Sequence, residues 1–137
     1  MIRVQLGDFD VAAEIAALTS GRTDVGAIVT FTGVVRGVAD GRALVAMTLE
    51  HYPGMTEGEL ARVEAEANAR WPLATSLVVH RIGRLLPGAN IVLVITASPH
   101  RDAAFEAARF LMDYLKTSAP FWKSVEHADG SLTWVEA

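Results

Sequence analysis

The sequence predicts a single α+β domain, and three observations predict it. Hydrophobic residues make up 51% of the 137 residues, enough to fill one core. The apolar period switches repeatedly between two and 3.6 residues, in the order β-α-β-β-α-β-β-α-β-β. No repeat, linker or low-complexity run divides residues 1–137, so one domain accounts for the whole sequence.

Each element has a local reason. Ile2 to Leu6 alternates as a short strand. Asp8 and Asp10 open a helix, where acids complement the positive end of the dipole. Val11, Ile15 and Leu18 form its apolar stripe, and Gly21 stops it. Gly26 to Arg36 is a strand with Ala27, Val29 and Phe31 on one face, and Gly33 marks a bulge or close backbone approach. Gly37 to Gly41 is expected to be a flexible loop. Ala43 to Tyr52 is the next strand, with Val45, Met47, Leu49 and His51 sharing a face. After the Pro53-Gly54 turn, Thr56 and Glu59 predict a capping box, and Met55 with Leu60 a hydrophobic staple. Leu60, Val63 and Ala67 carry the buried stripe of that helix, which Pro72 ends.

Thr75 to Ile82 is a strand and Gly83 to Gly88 a loop. Asn90 to Ala97 is so uniformly apolar that both its faces should be buried. Ser98 is placed to cap the following helix, with Pro99 at its first position. That helix runs to about Ser118, with Ala104, Ala108, Leu111 and Leu115 on its buried face. Phe121 to His127 and Ser131 to Val135 form a hairpin around Asp129-Gly130.

Composition narrows the function. A net charge of -4 gives no overall basic field for nucleic acid. Met1-Ile2-Arg3-Val4 has no signal-peptide pattern, and the apolar run Ile91 to Ala97 is too short to span a bilayer, so a soluble cytoplasmic protein is expected. The absence of cysteine removes disulfides, thiolate metal sites, a cysteine nucleophile and any persulfide carried on this chain. Sulfur chemistry here needs sulfur brought by another molecule. His51, His80, His100 and His127 show no metal-ligand spacing; His51 and His80 read as satisfied strand residues, and no bound metal or cofactor is expected. No GxGxxG, P-loop or GxSxG motif is present.

Three segments could carry chemistry. Ser98-Pro99-His100-Arg101 offers a helix start with free N–H groups, a histidine and a guanidinium, which suits a phosphate or carboxylate. Lys116 to Lys123 holds the only two lysines among 12 basic residues, beside Phe121 and Trp122. Lysine, unlike arginine, can give up its proton and serve as base or nucleophile. Gly33-Val34-Val35-Arg36-Gly37 presents an arginine at a strand end between glycines. Glu50 and His51 are adjacent in a strand, point to opposite faces and cannot pair.

Five segments together resemble the large, catalytic subunit family of molybdopterin synthase. They are Gly26-Ala-Ile-Val-Thr-Phe-Thr-Gly-Val-Val-Arg36, Leu49-Glu-His-Tyr-Pro-Gly-Met-Thr56, His80-Arg-Ile-Gly83, Ser98-Pro-His-Arg-Asp-Ala-Ala-Phe-Glu-Ala-Ala108, and Met112-Asp-Tyr-Leu-Lys-Thr-Ser-Ala-Pro-Phe-Trp-Lys123, the most specific. The resemblance implies an α/β hammerhead-type fold with a mixed and antiparallel sheet, three helices and a C-terminal β-hairpin. It implies a sulfurtransferase that takes sulfur from the C-terminal Gly-Gly thiocarboxylate of a small ubiquitin-like subunit. The acceptor is cyclic pyranopterin monophosphate, which gains the dithiolene of molybdopterin in molybdenum cofactor biosynthesis. The implied assembly is a central homodimer within a heterotetramer, with a pocket by the dimer interface that draws on both copies.

Carried over by position, the resemblance makes Lys116 and Lys123 catalytic and substrate-binding. It gives Arg36, His100 and Arg101 to the substrate and its phosphate, and Val34, Val35, Ser124 and Val125 to substrate contact. Phe31 and Met112 are further pocket candidates. Val34 and Ser124 stand where some relatives carry a basic residue. The sequence ends after Trp134-Val-Glu-Ala137, where relatives often have a longer basic tail, so contacts by such a tail are expected to be absent or supplied otherwise. The alternative from a different class is a non-enzymatic dimeric module that binds a phosphorylated metabolite or a ubiquitin-like partner.

Overall fold

The computed structural model describes residues 1–136, and the side chains of residues 1–135. Twelve elements follow in order: β1 (Ile2–Gln5), α1 (Val11–Thr19), β2 (Ala27–Val34), β3 (Val38–Ala39), β4 (Arg42–His51), α2 (Met55–Arg70), β5 (Thr75–Arg81), β6 (Gly83–Leu85), β7 (Asn90–Ser98), α3 (Arg101–Thr117), β8 (Phe121–His127) and β9 (Leu132–Glu136). The ten expected elements are all present. The loops expected at Gly37–Gly41 and Gly83–Gly88 instead contain β3 and β6, short strands that pair with β4. Two- and three-residue strands leave too little alternation to read in a sequence.

The strands form two sheets. The first has the order β1-β5-β7-β2, with β1 parallel to β5 and the other pairs antiparallel. Its central strands are buried on both faces, as the apolar run of β7 requires. Leu77, Val79, Leu93 and Ile95 pack on the α1 stripe of Val11, Ile15 and Leu18. Val78, Val92 and Val94 pack on Val63 and Ala67 of α2 and Ala108 and Leu111 of α3. The second sheet has the order β3-β4-β8-β9, with β6 also on β4. Its core is Val35, Leu44, Met47, Leu49, Leu85 and Val125.

Two strands carry irregularities. The β2–β7 register shifts between Gly33 and Val34, and a Cβ on Gly33 would lie 2.7 Å from Val92 Cγ1, so the bulge and the close approach coexist. The β4–β8 register shifts between Leu44 and Ala46. Val45, expected to share a face with Met47 and Leu49, is exposed there.

The starts of α2 and α3 differ from the sequence expectation. The N-cap of α2 is Gly54, and the Glu57 carboxylate accepts from its N–H at 3.2 Å. Thr56 is inside the helix and fully buried. Its hydroxyl accepts from Tyr52 N–H at 2.9 Å and donates to the Pro120 carbonyl at 3.1 Å. With Gly54 as the cap, the staple positions fall on Pro53 and Gly58, and Met55 is exposed. The N-cap of α3 is His100; Ser98 ends β7 and Pro99 precedes the helix. Ser98 Oγ donates to Pro72 O at 2.9 Å and accepts from His100 N–H at 3.3 Å, so it braces the turn from below.

Thr56 therefore ties the start of α2 to the segment between the two lysines. Replacing it with valine keeps the shape but strands a buried N–H and weakens the hold on Pro120. Thr56→Val should cost about 1–3 kcal/mol, measured by urea denaturation.

Candidate functional site

Strand alternation decides which candidates face a common space. Val35 is buried in the second core, so Val34 and Arg36 on either side of it point the other way. On β8, Lys123 pairs with Leu49 and Val135, and Val125 pairs with Met47 and Thr133. These side chains share one face of the second sheet. Between that face and the end of β2 lies a hollow of about 350 Å³, lined by Val34, Arg36, Asp40, Lys123, Val125 and His127 among others. A second hollow, about 170 Å³, lies alongside and is lined by Leu49, His80, Leu115, Lys116, Phe121 and Lys123 among others. Met47, Ile91 and Lys123 border both.

Lys116 reaches this place from the last turn of α3, where a cation complements the helix dipole. Ser118 and Ala119 N–H both donate to Tyr114 O, which closes the helix. Ala119 and Phe121 are then buried against Leu60 of α2. The chain is thus pinned between the two lysines.

Other candidates lie elsewhere. Ser124 is buried on the opposite face of β8, beside Thr48 and Trp134, and lines neither hollow. Val35 lines neither hollow through its side chain. Phe31 is exposed on β2, and Met112 packs beside the first core. His100 and Arg101 border a separate surface hollow with Gly26, Ala27, Pro99 and Asp102. A Cβ on Gly26 would meet Pro99 O at 2.2 Å, so only glycine lets β2 pass this turn. Arg101 and Lys116 stand at opposite ends of α3, about 22 Å apart by helical rise. One copy of the chain does not bring them together.

Ion pairing separates these cations from the rest. Arg3, Arg22, Arg42, Arg62, Arg70, Arg81 and Arg84 each lie beside a carboxylate. Among the described residues, Arg36, Arg101, Arg109, Lys116 and Lys123 have no such partner. Four of those five are candidate site residues. A hollow bordered by unpaired cations attracts an anion, and its apolar walls strengthen that attraction by excluding water.

The profile of the MoaE protein family matches residues 4–118. The chain belongs to the MoaE family. A Mesorhizobium japonicum relative named molybdopterin synthase catalytic subunit is 61% identical over 99% of this chain and 85% of its own length. The MoaE protein of Burkholderia ambifaria superposes with a TM-score of 0.86 at 50% identity, covering 100% of this chain and 89% of that one. Molybdopterin synthase from Staphylococcus aureus superposes at 0.88 with 30% identity, covering 98% and 96%. These MoaE neighbours share the mixed α+β architecture described above.

The hollow of this MoaE chain also contains a residue that the sequence reading set aside. His80 stacks on Phe121, with ring centroids 3.8 Å apart and planes at 17°. Its Nδ1 lies 2.8 Å from Arg81 O. Burial pushes its pKa down from 6.5 to about 4, with a smaller push from His51. The period-2 pattern of β5 placed His80 in a strand but could not show that Phe121 and the lysines meet it there.

The depressed pKa has a consequence for stability. The unfolded chain takes up the proton first, near pH 6.5, and the folded ring resists it until about pH 4. The contribution of a neutral His80 is complete above pH 6.5 and is lost as pH falls through that window, by up to about 3 kcal/mol. Wild-type protein should therefore lose more unfolding free energy between pH 7 and 4 than His80→Phe does, in parallel denaturant titrations.

Proposed function

We propose that this chain is the catalytic subunit of a molybdopterin synthase and works in the cytoplasm as a sulfurtransferase. It takes sulfur from the C-terminal thiocarboxylate of a small ubiquitin-like subunit and transfers it to cyclic pyranopterin monophosphate. The observation that carries this reading is the pair of adjoining hollows bordered by Arg36, Lys116 and Lys123, none with a carboxylate partner among the described residues. A cysteine-free chain needs an external sulfur donor, and both the donor tail and the phosphorylated acceptor are anions.

In this reading the larger hollow takes the pterin, with Arg36 at its charged end and Val34 and Val125 in its apolar wall. The smaller hollow takes the end of the carrier tail between Lys116 and Lys123. As sulfur leaves the thiocarboxylate carbonyl, the ammonium groups stabilise the charge that develops on oxygen, an effect worth about 3–4 kcal/mol for one good donor. His100 and Arg101 come from a second copy of the chain and hold the phosphate. The α3 geometry favours this arrangement, because the span within one chain is too long. The outer edge of β2 favours it too: it ends its sheet, and Ile28 and Phe31 are exposed along it.

Purified chain mixed with thiocarboxylated small subunit and cyclic pyranopterin monophosphate should form dithiolene product; no product from wild-type protein would end the proposal. Lys116→Ala should reduce turnover by about 10²–10³-fold with unchanged thermal stability. Lys116→Arg keeps the charge without the titration, so its activity separates electrostatic stabilisation from proton transfer.

The shared site makes a sharper demand. Lys116→Ala and Arg101→Ala should each have little activity alone, yet regain about a quarter of wild-type activity when refolded together in equal amounts. Half the dimers are then mixed, and each mixed dimer has one intact site of two. No recovery from mixed dimers that have been shown to form would place both residues in one copy's site and refute the shared pocket.

A further inference from the structure

The smaller hollow has an asymmetry of chemistry. Among the described residues its polar side chains are Lys116, Lys123 and His80, and no carboxylate borders it. Both lysines donate hydrogen bonds and neither accepts. The acceptor among these side chains is the imidazole. Its state is fixed by its surroundings: a carbonyl only accepts, so the 2.8 Å contact with Arg81 O puts the proton on Nδ1. Nε2 then carries a bare lone pair, and it has no hydrogen-bond partner among the described residues.

The ring is also held still. One face of it stacks on Phe121, which begins the strand that bears Lys123. Burial keeps it neutral, so it adds no third positive charge beside the two ammonium groups. The other titratable group near it is His51 on β4, whose Nε2 lies 3.7 Å from the Glu57 carboxylate.

Resting on the sulfur-transfer reading, we propose that His80 is a positioning residue whose Nε2 accepts a hydrogen bond from a lysine ammonium of this hollow and aims it at the incoming thiocarboxylate. A cation in an apolar hollow otherwise swings on four flexible carbons. One fixed acceptor restricts that swing and favours the charged form of the lysine.

Two variants and two readouts test this. His80→Phe keeps a flat ring for Phe121 but removes the acceptor. His80→Gln restores an acceptor near the Nε2 position. The chain has two lysines, so protein labelled with ¹³C-lysine gives two side-chain signals that can be titrated without substrate. The titration midpoint of one signal should fall in His80→Phe and return towards wild type in His80→Gln. Turnover should fall by about 10- to 100-fold in His80→Phe, the range expected for a hydrogen bond to a charged group, with the KM for the carrier little changed and partial rescue in His80→Gln. Unmoved lysine midpoints in His80→Phe, or equal loss of turnover in both folded variants, would overturn the proposal. Failure of wild-type protein to form product would instead remove the sulfur-transfer reading, and the lysine titrations would still decide whether His80 holds an ammonium.

Discussion

The constraint on which this structure depends is that a few cations are left without an ion-pair contact among the described residues. The chain has more acids than bases, 16 against 12, so unpaired positive charge is not a matter of supply. Seven arginines find carboxylates, from Arg3 with Glu14 to Arg84 with Glu126. Among the described residues, Arg36, Lys116 and Lys123 do not, although they border adjoining hollows. Leaving like charges near one another raises the energy of the free protein. An anionic ligand relieves that cost, so the same charges that tax stability supply affinity.

Holding that arrangement requires a rigid frame, and the two sheets provide it from different directions. The first sheet is closed over by α1 on one side and by α2 and α3 on the other, with its central strands fully buried. It fixes α3, and so the helix end that carries Lys116. The second sheet fixes Lys123 by pairing β8 with β4 and β9 on either side. Between them the chain passes through Ala119 and Pro120, and the buried hydroxyl of Thr56 clamps that passage. A single hydrogen bond contributes little on its own. Here it couples two independently packed bodies at the point where their cations must agree in position.

Much of this was legible in the sequence, and the errors have physical causes. Long periodic elements, such as α3 with its Ala104, Ala108 and Leu111 stripe, are specified by their own residues. So is the two-sided burial of β7. Thr56 followed by Glu59 has the spacing of a capping box, yet Gly54 takes the cap because the turn at its φ of 86° lets the helix begin at Met55. The threonine is freed to bond across 64 residues of sequence, a partner no local pattern reveals. Val45 fits the alternation of β4 until the register shift beside it turns it outward. Among the site candidates, Val34 and Val125 come from the family resemblance; alternation puts Lys123 and Val125 on one face of β8, and only the fold brings Val34 and Arg36 to the same hollow. Ser124 falls on the opposite face by that same alternation. His80 depends on a ring from another strand, so its place among the lysines appears only in three dimensions.

The length of α3 adds the last step. A helix of 17 residues separates its own ends by more than a phosphorylated pterin can bridge. Its N-terminal turn, with His100 and Arg101, and its C-terminal turn, with Lys116, are both suited to anions, yet they serve different surfaces of one copy. Helix rigidity forbids a bend that would join them, since no proline or glycine interrupts Arg101–Thr117. In the proposed dimer, two-fold symmetry would resolve the difficulty without any change of shape: the head of one helix would meet the tail of the other, and each site would be completed by charge that its own chain holds out of reach. In such an arrangement the dimer contact is part of the chemistry, and weakening the exposed edge of β2 would disable the site while every local contact around the lysines stayed intact.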